Sequence, residues 1–270
     1  MALLLVASYG LLVQSGKVPS GQGVSQYQLN WVTLEKFATD PMPQVEAVIC
    51  GSSMGQTLKP QLIDKRFYNL SVLGTSGLTG LKAVNASPNK PRLIFVEMSF
   101  TLANGVETQM LNSMLSPYHK WVAEHAKFLR QDYQPTDILL SKFRRKSLAG
   151  QDNPASPEAI AGAVRRHTVP TPAWETNNLE TVISGLKTEI ATAQARGCKV
   201  VLLEMLASAE VEATPKFVGI RERIAREFPQ GEYTWSQPMQ QADVVTSDGI
   251  HLVPSKAAEV SRALIEALGS

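Results

Sequence analysis

Residues 45–55 read VEAVICGSSMG. The apolar run from Val45 to Cys50, broken only by Glu46, stops at Gly51. Two hydroxyls follow, Ser52 and Ser53, and then Met54 and a second glycine, Gly55. A short β-rich run bounded by glycine predicts a strand over 45–51. A buried strand that runs straight into two serines held between glycines is either an ordinary turn or the presentation of one serine for chemistry. Serine alone does not decide between them.

Working outward, FYNLSVLG (67–74) predicts a second strand ending in glycine, and GQTLKPQLIDKR between the two is helical or loop. GLTGLKAVNAS is a short helix that fades into a turn. After Pro91, RLIFVEMSF predicts a third strand, whose unbroken apolar centre suits burial on both faces. KVVLLEM (199–205) is the fourth, and YTWSQ (233–237) a short fifth. Between the third and fourth, Leu179, Val182, Ile183, Leu186, Ile190 and Ala193 recur at helical spacing, with Gly197 as the C-cap. KFVGIRERIAREF and SKAAEVSRALIEALG are further helices. Strands separated by helices predict an α/β fold with a parallel sheet covered on both faces. In such sheets ligands sit beyond the carboxyl ends of the strands, where Gly51–Ser53, Gly74 and Ser99 fall.

The 270 residues are enough for one large α/β domain. A net charge of +2 gives no domain-wide basic field, so no nucleic-acid partner is expected. Cys50 and Cys198 adjoin apolar runs and read as buried free thiols. No C-x-x-C or H-E-x-x-H pattern occurs, and His119 and His125 have no partner at metal-ligand spacing, so neither metal nor cofactor is expected. Residues 1–13, MALLLVASYGLLV, are too short for a confident membrane span. They are either a truncated signal anchor, leaving membrane attachment and an extracytoplasmic location open, or a buried first element. The polar stretch that follows makes 14–44 a tether and lead-in, and the domain proper runs over 45–268. A helical insertion at about 106–170, with Leu111, Met114, Leu115, Trp121, Val122 and Phe128 as core candidates, is a lid or plain packing. Its basic residues Lys142, Arg144, Arg145, Lys146, Arg165 and Arg166, with His167, either hold an anionic polymer or form a solvated surface, the reading favoured here. Glu97 and Glu204, late in their strands, are read as salt-bridged or exposed at the sheet rim.

Near the C-terminus the chain reads VVTSDGIHLVPSKAAEV (244–260). Asp248 and His251 are three apart, just before the last helix. A carboxylate reaching back across a turn can accept a proton from one imidazole nitrogen and leave the other as a base. That base can activate a serine delivered by the first strand. The Ser53 backbone N–H and an N–H of the Gly74 loop would serve as oxyanion donors. Together these are the parts for acyl transfer or ester hydrolysis.

Three of these places resemble the SGNH (GDSL-type) hydrolase superfamily. CGSSMG (50–55) is similar to its first block, which implies that Ser53 is the nucleophile and that Ser52 is structural. NLSVLG (69–74) resembles the second block, whose glycine supplies an oxyanion N–H, here Gly74. SDGIHL (247–252) resembles the last block, which assigns Asp248 and His251. The resemblance implies a flavodoxin-like three-layer α/β/α sandwich, no cofactor, and a serine hydrolase or acyltransferase acting on an O-acyl ester. The third block departs: FVEMSFTLANG lacks glycine-x-asparagine, leaving Ser99 or Asn104 to stand in as a further oxyanion donor. In this it resembles a GSS-type branch of membrane-anchored proteins that acylate envelope polymers, which implies a small ester or a carbohydrate polymer as substrate. A non-catalytic envelope protein that binds or assembles on the same fold is the alternative.

Overall fold

The computed structural model describes residues 1–21, 23, 25–144, 152–169, 173–237 and 239–269. In chain order its elements begin with helices α1 (Ala2–Gln14) and α2 (Gln26–Thr39), strand β1 (Ala47–Cys50), helix α3 (Ser53–Thr57) and strand β2 (Phe67–Asn69). Helix α4 (Gly77–Ala86) and strand β3 (Leu93–Met98) come next, then helices α5 (Thr108–Leu115), α6 (Pro117–His125), α7 (Pro135–Arg144), α8 (Pro157–Thr168) and α9 (Ala173–Ala195). Strand β4 (Lys199–Glu204) and helices α10 (Ala209–Glu212), α11 (Pro215–Glu227) and α12 (Pro254–Gly269) complete the chain. These elements cluster into two units, one of residues 1–42, 86–89 and 108–149, the other of 43–85, 90–107 and 150–270.

The second unit holds the sheet. Its strands are all parallel, in the order β2-β1-β3-β4, which begins the flavodoxin-like order 2-1-3-4-5. The α/β class and the helix-flanked parallel sheet are as expected. Strand side chains alternate between faces, and the register keeps that alternation in line across the sheet. Ala47, Ile49, Leu93, Phe95, Val201 and Leu203 bury one face against Ala163 of α8, Val211 of α10, Phe217 of α11 and Ala257, Leu264 and Leu268 of α12. The other face, with Cys50 and Val96, lies under α4. There a Cβ on Gly77 would sit 2.8 Å from the Cys50 carbonyl, and one on Gly80 would sit 2.7 Å from the Leu70 carbonyl. Helix α9 packs on α4 at Gly185, whose absent Cβ makes room for Leu78. Cys50 and Cys198 are buried free thiols.

Two expected strands are shorter. The second ends at Asn69 because its side chain turns the backbone: Nδ2 donates to the Gly55 and Leu58 carbonyls at 2.9 and 2.6 Å, and Oδ1 accepts the Ser71 N–H at 2.9 Å. The chain beyond still follows β1, with Leu70 donating to Ile49 and Val72 to Gly51. The fifth shrinks to one parallel bridge between Leu202 and Trp235. Thr234 and Gln237 beside it are exposed, so little buried surface holds a longer strand to the edge.

The first unit corrects the expected tether. Gln26–Thr39 is a helix with a full capping box, the Ser25 hydroxyl accepting from the Gln28 N–H and the Gln28 side chain from the Ser25 N–H. It buries Val32, Leu34, Glu35, Phe37 and Ala38. Residues 2–14 also form a helix. Val13 is buried, Gly10 lies against the Phe128 ring, and the Tyr9 hydroxyl donates to the Tyr133 carbonyl. Leu4, Leu5 and Leu11 stay exposed. No helix among the described residues is long and apolar enough to cross a membrane. Residues expected to form one insertion divide: α5, α6 and α7 cluster with α1 and α2, whereas α8 belongs with the sheet. Met110, Leu111 and Met114 are core, but Trp121 is exposed. Arg145 and Lys146 of the basic run lie outside the described residues.

Candidate active site

The turn after β1 separates its two serines. Ser52 is fully buried and caps α3, its hydroxyl accepting the Met54 N–H at 3.1 Å. Ser53, the first residue of α3, is partly open. Its hydroxyl lies 2.9 Å from His251 Nε2.

His251 arrives on a tight loop before α12. Gly249 has φ +92°, a conformation that favours glycine, and a Cβ there would meet the Ala163 methyl of α8 at 3.0 Å. The Ser208 N–H donates to the Gly249 carbonyl, and Thr246 and Leu252 pair across the base of the loop. Asp248 Oδ1 accepts the Ile250 and His251 amides at 2.9 and 2.8 Å, and Oδ2 lies 2.7 Å from His251 Nδ1. Partial burial pushes the Asp248 pKa up. The His251 ring and the two amides outweigh it and hold the carboxyl well below the usual carboxylate range. An ionised carboxylate only accepts, so Nδ1 donates to it and Nε2 is left facing the Ser53 hydroxyl as an acceptor. Serine, histidine and aspartate, 198 and three residues apart in sequence, form one chain of hydrogen bonds.

No protein-family model matches this chain, and no curated protein matches it. One solved structure with a similar course is described as a "putative acylhydrolase" from Bacteroides fragilis, at 10% identity and a TM-score of 0.44, covering 90% of this chain and 95% of that one.

The remaining candidates are placed unevenly. Gly74 has φ +77° and follows the segment in which Val72 pairs with Gly51, so its loop runs beside the Ser53 turn. Among the described residues, neither the Ser53 nor the Gly74 amide has an acceptor. Ser99 is turned inward: its hydroxyl lies 2.7 Å from Glu97 Oε1 and 2.8 Å from Thr101 Oγ1. Asn104 is exposed in the following 3-10 turn and takes no part in the hydrogen bonds around Ser53 among the described residues.

Glu97 overturns its expected place at the rim. It is fully buried beneath the Ser52–Gly55 turn, its partners amides and hydroxyls. The sign in the sequence is a carboxylate inside the otherwise apolar strand LIFVEM. Glu204 is part-exposed, 3.9 Å from Arg221 Nε, as a rim residue should be. His167 is not part of a solvated basic surface. It lies edge-on to Phe100 and Phe217, and burial, with Lys216 and Arg166 nearby, lowers its pKa. A cavity of about 30 Å³ between the ends of β3 and β4, lined by Phe100, Met205, Glu212 and Trp235 among others, does not include Ser53. Among the described residues no group of three His, Cys, Asp or Glu side chains is arranged to hold a metal ion.

Proposed function

We propose that this chain is a serine hydrolase or acyltransferase acting on O-acyl esters. The observation that carries the reading is the 2.9 Å contact between Ser53 Oγ and His251 Nε2, with Asp248 holding the far side of the ring. His251 takes the Ser53 proton as Oγ attacks the ester carbonyl carbon. The carbonyl π pair moves onto oxygen, where the Ser53 and Gly74 amides face the developing charge. As the tetrahedral intermediate collapses, the C–O bond to the alcohol breaks and His251 passes its proton to the departing alkoxide. The acyl group now sits on Ser53 Oγ. His251 then deprotonates water or a second alcohol, which attacks the acyl-enzyme, and Ser53 recovers its proton. Asp248 stays ionised throughout and stabilises the imidazolium.

A carbohydrate or envelope-polymer ester is the substrate class we favour, on the resemblance of CGSSMG and SDGIHL to the SGNH superfamily. Hydrolysis and transfer use the same residues and differ in whether water or an acceptor hydroxyl reaches the acyl-enzyme. The inward turn of Ser99, which leaves only backbone donors for the oxyanion, favours a second reading as a non-catalytic binding or assembly protein.

Intact-mass spectrometry after treatment with a fluorophosphonate separates the two. A single adduct on the wild-type chain, absent from Ser53→Ala, is expected, together with a loss of ester turnover on the order of 10⁶-fold in that variant. Equal labelling or turnover in a folded Ser53→Ala protein would falsify the assignment. No adduct on a folded wild-type chain favours the binding protein.

A further inference from the structure

The reaction as proposed uses no atom of Glu97, yet the nucleophile turn is built around this side chain. Oε2 accepts the Ser52 and Gly55 amides at 2.7 and 2.8 Å. Oε1 lies 2.7 Å from the Ser52 hydroxyl, 2.7 Å from that of Ser99 and 2.9 Å from that of Thr101. Amides only donate, so Oε2 is an acceptor here. The backbone is drawn close onto it: a Cβ on Gly51 would lie 2.6 Å from Oε2 and one on Gly55 2.8 Å, with Ser71 Oγ at 2.8 and 2.7 Å. This is why glycines bracket GSSMG.

The turn's amides are then accounted for one by one. Ser52 and Gly55 donate to Glu97, Met54 to the Ser52 hydroxyl and Gln56 to the Ser52 carbonyl. From Ser52 to Gln56, the Ser53 N–H is the one left without an acceptor among the described residues. A plain turn can satisfy its amides with carbonyls and water and needs no buried carboxylate, a group that is costly to take out of water.

Resting on the Ser53 reading, we propose that Glu97 is a positioning residue for the nucleophile: by taking the Ser52 and Gly55 amides and the Ser52 hydroxyl it holds the turn so that the Ser53 N–H stays free for the oxyanion and the Ser53 hydroxyl is aimed at His251. Glutamine can do most of this. Its oxygen can accept the two amides, while its NH₂ meets hydroxyls that can turn to accept. Leucine has the bulk and no acceptor.

The test is the kinetics of fluorophosphonate labelling at Ser53, split into the maximal inactivation rate kinact and the half-saturating concentration KI. It uses the full chain as wild type, Glu97→Gln and Glu97→Leu, each well below its melting temperature. Glu97→Leu should lower kinact by about 100-fold with KI little changed, the size of effect expected when one oxyanion donor is lost. Glu97→Gln should recover kinact to within about tenfold of wild type. A purely structural Glu97 would lower the melting temperature and leave kinact of the folded protein alone, and that result overturns the proposal. Should the leucine variant not fold, Glu97→Asp decides. Its carboxylate stops one methylene short, so a wild-type kinact in it also overturns the proposal. A wild-type chain that takes no adduct at Ser53 sinks the nucleophile reading and this proposal together, whereas normal labelling in wild type and Glu97→Leu alike removes only the role of Glu97.

Discussion

Ser52 and Ser53 are chemically identical neighbours, and their surroundings give them opposite tasks. Ser52 spends its hydroxyl on Glu97 and the Met54 amide, while Ser53 keeps its own for His251. Asp248 is the residue whose ionisation the loop depends on. Its pKa is depressed in the folded chain, so the stability it contributes is present in full above its unfolded value of about 3.9 and is lost as pH falls from there through the lower folded value. Asp248→Asn removes that contribution. Its melting temperature should therefore lie below wild type by a constant gap above about pH 5, and the gap should close on acidification below about pH 4. Melting curves across that range test it, and a gap that widens with acid would count against the assigned hydrogen bonds. A spacing of three between Asp248 and His251 is visible in the sequence, as is a serine after a strand, so these residues can be brought together on paper. The partners of Glu97 are not visible in that way. They come from two turns 45 and two residues away, and only the folded register brings them under one side chain. The same hidden proximity turns Ser99 inward: its hydroxyl donates to Glu97 Oε1 at 2.7 Å and lies 2.8 Å from Thr101 Oγ1.

The close seat of α4 on the sheet is an effect of two small residues a helical turn apart. Glycine within a helix ordinarily costs about 1 kcal/mol relative to alanine, so Gly80→Ala on an open helix would stabilise. Here the new Cβ would stand 2.7 Å from the Leu70 carbonyl and 3.1 Å from the Cys50 Cβ. Those neighbours are backbone and buried core, and they have little room to yield. Gly80→Ala should destabilise by roughly 1–3 kcal/mol, an overpacking cost, and urea melts compare it directly with wild type. A stabilised variant would mean that α4 can shift away from β1. At this scale legibility follows how much of an element is buried. The apolar runs of β1, β3 and β4 announce themselves, whereas FYNLSVLG and YTWSQ promise more strand than forms, because the side-chain turn at Asn69 and the thin burial at the sheet edge do not show in the pattern. Helix α2 hides behind a polar, glycine- and serine-rich lead-in, although Ser25 and Gln28, three apart, spell a capping box.

Across the whole chain, the residues proposed for catalysis all come from the sheet-bearing unit, and the other unit buries the charged side chains Glu35, Arg130, Asp132 and Asp137. That division is not legible in the sequence. Residues 108–149 and 1–42 lie far apart in the chain, and apolar side chains such as Leu34, Phe37, Leu111 and Met114 are buried in their unit together with a set of ion pairs that no sequence repeat announces. Arg130, 2% exposed, pairs with Asp40 through both Nη atoms at 2.5 and 3.1 Å and with Asp132 at 3.2 Å, and Glu35 lies 4.0 Å from its Nε. Burial alone would lower the Arg130 pKa, but the hydrogen bonds to Asp40 and the charges of Asp132, Asp40 and Glu35 outweigh it and raise it. Glu35 also meets His119 Nε2 at 2.8 Å, and Lys36 lies 3.5 Å from Asp132. Arg130→Met keeps most of the side-chain volume and leaves these carboxylates without their central cation. Breaking a buried pair from one side costs about 3–5 kcal/mol, because the partner is left charged and unpaired. The loss should show as faster amide exchange in α2, α5 and α6. Burial already raises the Asp132 pKa with Arg130 opposing that rise, so removing Arg130 raises it further. A carboxyl with a raised folded pKa costs the folded state most when pH is high enough to ionise it. The deficit of Arg130→Met should therefore shrink as pH falls toward the carboxylate range. A deficit independent of pH would show that the variant loses packing around the arginine stem rather than its charge.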